Sequence, residues 1–137
     1  MVNTATLKQH PELGKALTGA WYETLQVMSG DSSAARQART FMGQAAGTDL
    51  AGFDEQLAAT HLFATPKQAL EFVQNAQLKA TMQSVAEFSF RHGLLGDGAP
   101  GADVVGVSTP AGLWGNTGNV KLRFSDEFLK LAADNKL

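Results

Sequence analysis

The sequence predicts an α/β, helix-rich fold: about five to six helices, then a few short strands including a C-terminal hairpin. Two observations carry this. Apolar residues recur at helical spacing from Pro11 to Phe88. A break at Gly93–Gly101, with four glycines and Pro100, then gives way to short Val-, Leu- and Trp-bearing runs. At 137 residues the chain is one domain by length, since domains run to about 100–200 residues. It reads as a helix-rich part over 1–95, and a glycine-rich loop, short hairpin and terminal helix over 96–137 of the same domain.

The first six residues alternate weakly and contain Val and Thr, which suits a short strand or an extended lead-in. A helix begins at Pro11, because proline is preorganised for the first helical position and Glu12 favours the positive end of the dipole. Its stripe is Leu13, Leu17, Ala20, Trp21, Thr24, Leu25 and Met28, and Gly30 ends it. Asp31, Ser32 and Ser33 offer caps for a second helix with stripe Ala34, Ala38, Phe41, Met42 and Ala45, stopped at Gly47. A third starts after Thr48 or Asp49 and buries Leu50, Phe53 and Leu57, and Thr60–Phe63 reads as extended. Thr65-Pro66-Lys67-Gln68 is the sharpest local signal: Thr at the N-cap, Pro at N1, and Gln placed to return a hydrogen bond to the cap. The next helix carries Leu78, Met82, Val85, Ala86 and Phe88 and closes at Arg91-His92-Gly93. Val104, Val105 and Val107, then Leu113 and Trp114, then Val120, Leu122 and Phe124 read as strands, with Asn116–Asn119 as the turn between the last two. Ser125 caps a final helix, with Phe124 and Leu129 placed as a hydrophobic staple.

Composition excludes several classes. Eleven basic against thirteen acidic residues give a net charge of −2, without the basic footprint of a nucleic-acid binder. Zero cysteines remove disulfides, thiolate metal sites and a Cys nucleophile. The start lacks a basic and an apolar region, so no signal peptide is expected in this chain. Gly96-Asp97-Gly98-Ala99-Pro100-Gly101 has the letters of a dinucleotide loop, yet it follows a helix and precedes strands, and Pro100 removes an amide, so it reads as a connector. His10, His61 and His92 lack a second His or a carboxylate at the spacing of a helical metal pair. Asp54-Glu55 and Asp126-Glu127 fall near first turns, where the helix dipole accounts for them. No catalytic residue, metal ligand or cofactor is expected. Trp21 and Tyr22 lie about 100° apart on one helix and cannot share a core face, which leaves one of them open to lining a pocket or an interface; the favoured arrangement has Trp21 inside, with Tyr22 at the boundary and its hydroxyl wet.

The run Val2-Asn3-Thr4, then His10 through Glu23 (HPELGKALTGAWYE), resembles the solute-binding proteins of nitrate/taurine/sulfonate-type ABC transporters. Thr48-Asp49-Leu50, Phe63–Pro66, Phe88–Leu95 and Asn119–Phe124 resemble the same family in the same order, closest to a branch associated with urea. The resemblance implies the C-terminal portion of such a protein, a partial periplasmic-binding-protein-like lobe. It further implies a non-enzymatic periplasmic role, with a small solute and a membrane permease as partners and Asn3, Thr4 and Trp21 as ligand-binding candidates. The competing expectation is a stand-alone helix-rich interaction module that forms a homo-oligomer through exposed apolar surface.

Overall fold

The computed structural model describes all 137 residues. It is helix-rich, with seven helices and a small mixed sheet: α1 (Thr4–Gln9), α2 (Pro11–Met28), α3 (Ser33–Ala45), α4 (Leu50–Ala59), α5 (Pro66–Gln74), α6 (Ala76–Arg91), β1 (Gly106–Thr109), β2 (Gly112–Trp114), β3 (Val120–Arg123) and α7 (Glu127–Ala133). The chain divides into two compact units, Met1–Gln68 with Leu131–Leu137, and Ala69–Lys130. The boundaries fall inside α5 and α7.

In the first unit, the expected extended lead-in is instead helix α1. The Asn3 side chain accepts from the amides of Ala5 and Thr6 and caps the turn; that local bond outweighs the weak alternation. Pro11 opens α2 as expected, and Gly30 follows its end with φ +76°, a conformation glycine reaches without a Cβ penalty. Ser32 caps α3 and Asp49 caps α4 through their side-chain oxygens.

The buried rows depart from the expected stripes. On α2, Leu25 and Met28 are buried as expected, with Gly14 on the same face, whereas Leu17 is exposed and Trp21 is 53% exposed, so that face is covered towards its two ends and open between them. On α3, the buried row is Ala35, Arg39 and Gly43, and Phe41 is 71% exposed. The physical reason is close approach. A Cβ on Gly43 would lie 2.8 Å from the Asp49 carbonyl oxygen and 3.1 Å from Phe53 Cβ. Alanine there would gain about 1 kcal/mol in helix propensity against about 1–3 kcal/mol of overpacking, so the contact decides the residue.

Arg39 sits at the centre of this unit, 8% exposed. Its Nε donates to Asp54 Oδ1 at 2.7 Å, and its Nη1 donates to the carbonyls of Met28 and Gly30, both at 2.8 Å. The exposed Asp31 carboxylate lies 3.7 Å from Nη2. One guanidinium thus joins the end of α2, the middle of α3 and the side of α4.

In the second unit, Asn75 caps α6, and α6 packs Leu78 and Ala86 towards a 3₁₀ turn (Ala102–Val104), β1 and β2. Val85 and Phe88, expected on the core stripe, are exposed, because the inward row runs through Leu78, half-buried Met82 and Ala86. Val104 and Val105 lie before the first strand, which starts at Gly106. The sheet order is β2-β1-β3, with β1 antiparallel to β2 and parallel to β3. The hairpin therefore turns at Pro110-Ala111, between β1 and β2, and not at Asn116–Asn119 as the turn residues imply. That segment instead crosses the start of β1: Asn116 N donates to Asp103 O at 3.0 Å, Gly106 N to Asn119 O at 2.9 Å, and Asn119 Nδ2 to Val104 O at 2.9 Å. Gly106 and Gly115 stand where a side chain would meet the crossing backbone. Thr60–Phe63 forms no strand.

Replacing Arg39 tests its place. Charge-assisted hydrogen bonds contribute about 1.5–3 kcal/mol each, partly offset here because Asp54 is half-exposed and regains water. Arg39→Ala is expected to lower stability by about 3 kcal/mol, read in urea denaturation as a lower midpoint at unchanged slope. Arg39→Lys should recover less than half, since an ammonium lacks the planar fork that serves a carboxylate and two carbonyls together. A loss below about 0.5 kcal/mol, the size of an ordinary surface change, would show that the network is incidental.

Candidate functional site

The first unit contains a cleft of about 560 Å³. Helix α2 supplies Gly19, Tyr22, Glu23, Leu25 and Gln26, and Ser29 follows at its C-cap; the segment leading into α5 supplies Ala64, Thr65 and Pro66; the end of the chain supplies Ala132, Asn135 and Leu137. Tyr22, Gln26 and, just beyond the helix end, Ser29 follow one another at i, i+4 and i+7 and so line one side of α2. Apolar walls with a few polar groups are the usual make-up of a small-molecule site.

The donors and acceptors at the rim are already partly committed. Ser29 Oγ donates to the Gln26 carbonyl at 2.7 Å, so its remaining capacity is that of an acceptor. The capping box is formed as the sequence predicts: Gln68 N donates to Thr65 Oγ1 at 3.3 Å, and Thr65 N donates to Gln68 Oε1 at 3.2 Å. Pro66 contributes no N–H. Burial pushes the Tyr22 phenol above its usual value near 10.0, because the phenolate loses solvation there. The boundary position expected for Tyr22 holds, but the core position expected for Trp21 does not.

The three candidates drawn from the resemblance lie elsewhere. Asn3 caps α1, Thr4 is the first residue of that helix, and Trp21 points away from the core. None of them lines the cleft. The signal that would have found Tyr22, Gln26 and Ser29 is the polar face of α2, which a count of apolar residues passes over.

The other chemistry-bearing residues have structural partners. His10 Nδ1 lies 3.0 Å from Glu12 Oε1 between α1 and α2, the His61 ring meets Phe63 edge-on, and His92 stacks on Phe88 at the end of α6. No three His, Asp or Glu side chains gather as a metal site. Gly96 and Gly98 take positive φ in a turn after α6, so the dinucleotide-like letters form a connector. Asp54 holds Arg39. In the second unit, Asp126 accepts from Gln74 Nε2 and Lys130 Nζ, both at 2.8 Å, and the Gln74 hydrogen bond, with Lys130, holds its carboxyl below the usual value. No helix is long and apolar enough to cross a membrane.

Tyr22 is the single tyrosine of the chain, so its titration can be followed alone. The folded-state pKa is raised, so between the unfolded and folded values the native state binds more protons and stability falls as pH rises. Alkaline absorbance titration should place the native phenol above the denatured one. Tyr22→Phe should remove its share of the stability loss above about pH 10. Coincident native and denatured titrations would mean that the cleft does not desolvate the ring.

Comparison with protein-family models, with curated proteins and with solved structures returns no match.

Proposed function

We propose that this chain acts in solute capture for an ABC importer, as part of the periplasmic component that takes up a small nitrogen-containing or anionic solute and presents it to a membrane permease. The ordered sequence resemblance motivates the reading, and the cleft of the first unit is the observation that carries it. A volume of about 560 Å³ falls in the range of small-molecule sites, about 300–1,000 Å³. Binding there needs no covalent step: α2 holds Tyr22, Gln26 and Ser29 on one rigid face, and Leu25, Pro66 and Ala132 supply apolar wall. The role is capture without turnover.

Calorimetric titration with urea, acetamide, nitrate and taurine tests it. At least one of the four should give saturable heat, and Gln26→Ala should weaken that binding about fivefold, the worth of one hydrogen bond near 1 kcal/mol. Flat titrations with all four and with propylammonium, a solute of the remaining charge class, would overturn the reading.

A second reading, a self-associating interaction module, draws on apolar surface left uncovered. Helix α2 leaves Leu17, Trp21 and Val27 exposed, and separately α6 leaves Val85 and Phe88 exposed, with Leu94 beyond it. Such surface favours association with a second copy. Light scattering across a concentration series should then show a dimer, which Leu17→Ser with Trp21→Ser returns to monomer. A monomer at every concentration would eliminate this reading.

A further inference from the structure

We infer that the cleft of the first unit receives a protonated amine, with Glu23 as its counter-ion, and turns oxyanions away. This rests on the solute-capture reading and narrows it to one charge class.

The charged side chain lining the cleft is Glu23, and neither lysine nor arginine lines it. Lys136, next to the lining residue Asn135, pairs with Asp134, its ammonium 2.8 Å from Oδ2. An anion entering the cleft would meet a like charge without a cation to offset it, whereas an ammonium would meet an opposite one.

The hydrogen-bond inventory points the same way. A helix N-terminus is the feature of the cleft best suited to hold an anion, because its free amides point outward. At α5 that capacity is reduced to the Lys67 amide: Pro66 has no N–H, and the amides of Thr65 and Gln68 are both bonded within the capping box. Ser29 has given its proton to the Gln26 carbonyl and offers lone pairs to a ligand. The amides of Gln26 and Asn135 at the lining carry an acceptor oxygen and an NH2 donor each, so they serve either ligand. An ammonium has three donors and no acceptor, so it complements Glu23 and the Ser29 lone pairs, whereas a sulfonate or nitrate, with acceptors alone, duplicates them. The Tyr22 ring, also at the lining, adds a π face that attracts cations.

The test uses three solutes on one carbon frame: propylammonium, propionamide and propanesulfonate, titrated calorimetrically into the whole chain at low and moderate salt. Propylammonium should bind at least tenfold more tightly than propionamide, with no saturable heat from propanesulfonate. Its affinity should fall as salt rises, as an exposed charge pair requires. Glu23→Gln should remove the tenfold preference while leaving the far-ultraviolet circular dichroism and the urea midpoint unchanged. Propanesulfonate or propionamide binding more tightly than propylammonium would overturn the inference and leave solute capture standing. An unchanged propylammonium affinity in Glu23→Gln would overturn it as well. Silence from all three, with heat from urea, acetamide, nitrate or taurine, defeats the amine assignment alone; silence from every solute defeats both.

Discussion

A buried guanidinium cannot be left without partners, and the first unit is arranged around that requirement. Desolvating a charge costs several kcal/mol unless hydrogen bonds and an opposite charge replace the lost water. Arg39 finds its replacements in three places: the carbonyls of Met28 and Gly30, which lie where α2 stops, and Asp54 on α4. Carbonyls at a helix C-terminus lack partners within the helix and carry the negative end of its dipole, so a cation suits them electrostatically. The same contacts fix which side of α3 faces inward. With Arg39 inside, Ala35 and Gly43 one turn to either side must be inside too, and they are small enough for neighbouring backbones to come close.

The Arg39 contacts also fix α2. Its end is tied to Arg39 through Met28, and its buried row passes through Gly14, Leu25 and Met28. Trp21 and Leu17 are left outside, and Tyr22, Gln26 and Ser29 come to line the cleft. A structural ion pair and a binding face are therefore linked through the pitch of one helix. Local bonds at Ser29 and in the Thr65–Gln68 capping box consume donors that would otherwise face a ligand in the cleft.

Local signals in the sequence were legible where they depend on a few adjacent residues. Pro11 at a helix start, the Thr65–Gln68 box, Gly47 and Gly93 after helix ends, and Ser125 ahead of α7 all appear where their stereochemistry requires. Asn3 is the exception: its capping role was present in the residue type, but two β-favouring neighbours obscured it. Helix faces were less legible. Weighting by hydrophobic size favours Phe41, Trp21 and Val85 as well as Leu25, Met28 and Leu78; the last three are buried, while close packing at α3 selects glycine, alanine and one paired arginine. Of the cleft, Thr65 and Pro66 stand out in the sequence for their role as helix caps, and Tyr22 as one of two rings that cannot share a core face.

The sheet draws the same line between short and long range. Asn116-Thr117-Gly118-Asn119 announces a turn, and a turn is present, with Gly118 N donating to Asn116 Oδ1. What the turn joins depends on Gly106 and Gly115, whose missing side chains let one backbone cross another and place β3 parallel to β1. By itself, the sequence determined helix starts and stops, the turn positions and the helix-rich α/β composition, because each follows from the conformational preferences of neighbouring residues. Only tertiary structure decided the strand order, the inward face of each helix and the membership of the cleft, because each depends on contacts between residues far apart in the chain, whose energies outweigh local preference.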